Sequence, residues 1–103
     1  MTPPTSIREA KWRELYRQVS LKLDAAEART DFRPTLELAR RYRGKLEANN
    51  RAILAATDHP ATRAAHIDGA LATFGVNGLW PAICDVESQS RFHGRKALEM
   101  KHG

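Results

Sequence analysis

Several residues in this chain have the chemical types from which sites are built. Four histidines come first: His59, His66, His93 and His102. His59 and His66 are seven residues apart. On one helix that spacing separates them by about 10.5 Å along the axis, too far to share a metal ion. No histidine or carboxylate stands three or four residues from His66, where a second ligand on the same helical face would belong. Cys84 next to Asp85, with His93 downstream, offers a nucleophile and a base in name only. A reactive thiolate needs a helix start or fixed cations beside it. Cys84 sits instead among Trp80, Ile83 and Val86, the surroundings of a thiol that packs as a small apolar group. The chain has no Walker phosphate loop, GxGxxG, HExxH, CxxC or GxSxG pattern. No catalytic residue, metal or cofactor is assigned, and the expectation is a non-enzymatic protein.

The basic side chains carry the remaining chemistry. Arg33, Arg40, Arg41, Arg43, Lys45 and Arg51 crowd one stretch, densest at Arg40-Arg41-Tyr42-Arg43, and Arg91, Arg95, Lys96 and Lys101 form a second group. Cations in such numbers could follow a phosphate backbone, where each neutralised phosphate releases counterions. The opposing reading is a solvated face. Glu37 is spaced to pair with Arg33, Arg40 or Arg41, and Glu47 with Arg43 or Arg51. Trp80, beside a Val76-Asn77-Gly78 turn, is either an interface anchor or the plug at the end of a bundle.

Helices must position these groups. Trp12, Leu15, Tyr16, Val19, Leu23 and Ala26 recur at steps of three and four, which predicts a helix over about 6–29, with Ser6 and Glu9 as a capping box. Phe32, Leu36, Ala39, Tyr42, Leu46, Asn49, Ile53 and Ala56 predict a second over about 31–57, and the short link between them predicts an antiparallel hairpin. In that register Asn49 falls in the apolar seam, where a polar residue can fix register or oligomeric state. Ala64, Ile67, Leu71 and Phe74 mark a shorter helix over about 60–74, ended by Gly75. Leu79, Trp80, Ile83 and Val86 mark another over about 79–88. The run Leu71–Asn77 departs from a helix-turn-helix, since a bulky Leu71 stands where those helices cross and the following segment is acidic. The expected fold is an all-α bundle in a single domain over 1–103, with residues 1–5 frayed and 91–103 a flexible basic tail.

Composition sets the outer limits. With 42% apolar and 28% charged residues the chain is apolar enough to fold around one modest core. Its net charge of +5 is divided into a basic stretch over 1–57, an acidic one over 58–90 and a basic end over 91–103. The lone cysteine, the absence of an apolar leader and the lack of a long apolar run point to the cytoplasm, with no membrane association. The excess of arginine over lysine and the abundance of alanine suggest a GC-rich bacterial or phage gene. The leading expectation is an accessory or regulatory protein that binds another protein through Arg40, Arg41, Arg43 and Trp80, with a homodimer through the Asn49 seam as one form. The alternative is nucleic-acid binding by both basic groups.

Overall fold

A computed structural model describes the backbone of residues 4–102 and the side chains of residues 7–91. The elements are α1 (Pro4–Arg29), α2 (Arg33–Ala55), α3 (Pro60–Phe74) and α4 (Trp80–His102), and the fold is the expected all-α bundle. Each helix carries a proline in its first turn: Pro4, Pro34, Pro60 and Pro81. A proline there loses no hydrogen bond, because the first backbone N–H groups of a helix have no partner within it. This is why α1 begins at Pro4, where the sequence reading places a frayed tail. The side chain of Ser6, half of the expected capping box, lies outside the described residues.

Polar contacts between helices reveal the layout. Along α1, Trp12, Tyr16 and Asp24 meet Asn50, Glu47 and Arg43 of α2 in descending order, so the pair is antiparallel. Glu9, Lys22 and Arg29 meet Arg63, Trp80 and Glu87 in ascending order, so α3 and then α4 run parallel to α1. α3 and α4 each pack on both α1 and α2 but hardly touch one another. The molecule is thus a three-column bundle whose third column is broken, drawn out to 60 × 23 × 19 Å.

The core follows the heptad-like steps of each column. Trp12, Val19, Leu23 and Ala26 of α1 meet Ala39, Leu46 and Ile53 of α2, Ile67, Ala70 and Phe74 of α3, and Ile83 and Val86 of α4. Each large side chain buried here contributes roughly 1.5–3 kcal/mol. Phe74 is fully buried, with its ring centroid 6.2 Å from that of Trp12. Near Arg29 the interior turns polar: Thr30, Thr35, Glu87 and Ser90 are all buried.

Two sequence expectations are corrected. Ala39, Leu46, Ile53 and Ala56 of the predicted α2 seam are buried, but the first turn differs: Phe32 is exposed in the Thr30–Phe32 link, and Thr35 is buried instead. The Thr30 hydroxyl accepts a hydrogen bond from the Phe32 backbone N–H at 3.0 Å, a local turn that takes Phe32 out of the helix. α4 does not stop near residue 88 but continues to His102 through the expected tail. Gly94 costs about 1 kcal/mol relative to Ala, and the good helix formers after it, Arg95 to Met100, carry the helix across.

The break in the third column depends on Gly78. Leu79 N–H donates to the Thr73 carbonyl and Gly78 N–H to the Gly75 carbonyl, both at 2.8 Å, which folds the chain tightly over the end of α3. A Cβ at Gly78 would run into the carbonyl oxygens of Ala72 and Thr73. At Gly44, inside α2, a Cβ would meet nothing within 4 Å. Gly78→Ala is therefore expected to destabilise the fold by about 1–3 kcal/mol, and Gly44→Ala to stabilise it by about 0.5–1 kcal/mol. Urea denaturation of the two variants beside the parent chain checks both signs.

Candidate docking surface

The way carboxylates are distributed among the arginines decides what the surface of α2 presents. Glu47, spaced to pair with Arg43 or Arg51, instead accepts a hydrogen bond from the Tyr16 hydroxyl at 2.7 Å. Arg43 turns toward α1 and pairs with Asp24 and, at 3.3 Å, with Glu27, which leaves its side chain 28% exposed. Among the described residues Glu37 pairs only with Arg33, at 3.6 Å on the open surface. Arg40, Arg41, Lys45 and Arg51 are exposed and have no ion pair among the described residues.

These four cations frame a face. With roughly 3.6 residues per turn, Arg40 and Arg51 fall along one edge of the exposed arc, Arg41 and Lys45 along the other, and Gly44 and Ala48 between them. The small residues leave the helix backbone open to close approach. Arg40 and Arg51 are about 16 Å apart along the axis.

The partner residues read from the sequence therefore divide. Arg40 and Arg41 are on this face, whereas Arg43 and Trp80 are engaged inside the bundle. Trp80 is half-buried against the core, with the Lys22 ammonium 5.4 Å from its ring centroid. Of the second basic group, Arg91 pairs with Glu87 at 2.8 Å, and the side chains of Arg95, Lys96 and Lys101 lie outside the described residues. Asn49 is half-buried and makes no hydrogen bond among the described residues. Its neighbour Asn50 is the polar group of the α1–α2 seam, accepting from the Trp12 indole N–H at 3.2 Å.

A shallow pocket of about 160 Å³ opens beside this seam, where α1, α2 and α3 meet. Trp12, Tyr16, Ile53, Leu54 and Ile67 supply its apolar lining. Glu9, Arg13, Arg63 and Asn50 supply its polar rim. Arg63 donates to Glu9 at 2.6 Å, while Arg13 reaches the same carboxylate only at 3.8 Å and is 78% exposed. Leu54, at 57% exposure, is apolar surface left open at the pocket mouth. The sequence reading assigned no role to Leu54, Arg63 or Asn50. The adjacent Asn49–Asn50 pair is the available signal, but choosing between them requires knowing which one the Trp12 indole of α1 meets.

His59 and His66 are exposed, and the described residues hold no cluster of three His, Cys, Asp or Glu side chains suited to a metal. No described helix is long and apolar enough to cross a membrane. Perturbed ionisations trace to pairs within the chain. Hydrogen bonds from Arg17 and Gln18 hold Glu14 below the usual carboxylate range, and the bond to Glu47 holds the Tyr16 phenol above its usual value. Comparison with known protein families, with curated proteins and with solved structures finds no match to this chain.

Two outcomes follow. A phenol whose pKa is raised on folding contributes stability that is complete below the ordinary tyrosine value of about 10 and is lost as pH climbs through the folded value. The parent chain is thus expected to lose stability above about pH 10 more steeply than Tyr16→Phe, as followed by urea midpoints across alkaline pH. Arg43→Ala is expected to cost about 1 kcal/mol, whereas Arg40→Ala and Arg41→Ala stay within about 0.5 kcal/mol of the parent, in the same denaturation assay.

Proposed function

We propose that this chain is a non-enzymatic cytoplasmic accessory or regulatory protein that binds another protein, using the outer face of α2 to engage an acidic surface. The observation that carries this reading is the set of four cations, Arg40, Arg41, Lys45 and Arg51, unpaired within the described chain and arranged around Gly44 and Ala48. Helix-interior glycine is unfavourable by about 1 kcal/mol, and a Cβ at Gly44 would meet nothing within 4 Å among the described residues. Close approach of a second backbone gives it a use. Complementary charge would speed encounter and select among partners. A homodimer through this same face would set cation against cation, so the partner is read as a different chain.

The same cations favour a second reading, in which α2 lies along a nucleic-acid backbone. Affinity capture from the native cell, with and without nuclease, separates the two. The expected result is a protein retained after nuclease treatment and lost when Arg40, Arg41, Lys45 and Arg51 are replaced together by alanine. Retention that ignores the fourfold replacement would overturn the α2 assignment, and loss on nuclease treatment would favour nucleic acid.

A further inference from the structure

The pocket between α1, α2 and α3 adjoins the cationic face. Arg51 precedes Leu54 by three residues, so the two side chains are neighbours on the surface of α2. We infer that this pocket receives one apolar side chain of the protein partner, together with a carboxylate next to it that Arg13 and Asn50 hold at the rim. The inference rests on the protein-binding reading of α2 and adds the anchor that a purely electrostatic contact lacks.

Size, polarity and unused donors agree on this occupant. An apolar cavity of about 150 Å³ is large enough for a benzene ring, and this pocket, at about 160 Å³, is comparable. Trp12 and Tyr16 are residue types that concentrate binding energy at interfaces, and exposed Leu54 extends the apolar wall outward. At the rim, Glu9 is committed to Arg63 at 2.6 Å, so Arg13, 3.8 Å away, has a guanidinium able to form a closer pair. Asn50 spends its oxygen on Trp12, while its amide N–H groups make no hydrogen bond among the described residues. An apolar floor with two donors above it suits a side chain flanked by an anion. It gives no reason to prefer a phosphate on a polar sugar.

The test is nuclear magnetic resonance of the full-length, ¹⁵N-labelled chain titrated with N-acetyl-phenylalanine, its neutral amide, and adenosine monophosphate. The expected result is a saturable shift of the Trp12 indole N–H by the acid, with a dissociation constant on the order of millimolar, while the Trp80 indole N–H stays in place. The amide should bind several-fold more weakly, and Arg13→Gln should bring acid and amide to equal affinity. Leu54→Glu, at an exposed position that leaves the fold intact, should weaken the acid at least tenfold. No saturable shift at Trp12, equal movement of both indoles, indifference to Leu54→Glu, or preference for the nucleotide would each overturn the inference. Because Arg51 adjoins Leu54, the control replaces Arg40, Arg41 and Lys45 alone by alanine, which should leave the preference for acid over amide and nucleotide in place. Failure at the pocket is therefore distinguishable from failure of the α2 reading, which the capture experiment reads.

Discussion

The rotation of α2 about its own axis is the constraint on which the rest of the molecule depends. Thr35, Ala39, Leu46 and Ile53 point inward. That orientation brings Arg43 to Asp24 and Glu27, Glu47 to Tyr16, and Asn50 to Trp12 along the groove with α1. Arg43 is the costliest cation to leave unpaired there, because burial works against its charge and two carboxylates restore it. Once those carboxylates are spent across the groove, Glu37 remains on the outer face of α2, and its ion pair is with Arg33. The same packing that stabilises the hairpin therefore leaves Arg40, Arg41, Lys45 and Arg51 without an ion pair among the described residues.

The third column shows a related economy. A single long helix along α1 would leave no place for the chain to adjust its register. The Gly75–Leu79 turn supplies that place, and both halves then seat large side chains, Phe74 before the break and Ile83 after it. Breaking the column also confines α3 to one end of the hairpin, so the pocket forms where Arg63 and Ile67 of α3 face Trp12 and Ile53. Cationic face and pocket are two results of one arrangement, since Asn50 and Leu54 belong to the edge of α2 that Arg51 also occupies.

Much of this fold was legible in the sequence. The α1 stripe from Trp12 to Ala26, the Ile67–Phe74 segment and the Leu79–Val86 segment all bury or pack as their spacing implies. Most of the α2 seam is legible as well, since Ala39, Leu46, Ile53 and Ala56 are buried where their spacing puts them. Its first turn is not, because the Thr30 turn that excludes Phe32 depends on a hydroxyl hydrogen bond rather than on periodicity, and the choice of Asn50 over Asn49 is made by Trp12 of α1. The extent of α4 is not legible, because the polar Ser88-Gln89-Ser90 run and the basic stretch after it, interrupted by Gly94, resemble a helix end. The cationic face was visible only as a cluster. Which arginines remain unpaired depends on contacts between helices, such as Glu47 with Tyr16, that spacing along one helix cannot supply.

Arginine-selective chemical footprinting, read by mass spectrometry on the free protein and on the complex captured from cells, tests the central claim most directly. In the free protein Arg40, Arg41 and Arg51 should react quickly and Arg43 and Arg63 slowly. In the complex the first three should become protected, while Arg17, paired with Glu14 on the exposed side of α1, keeps its reactivity. Equal reactivity of Arg43 and Arg40 in the free protein would contradict the assignment of carboxylates described above. Protection confined to residues away from α2 would contradict its role as the working surface.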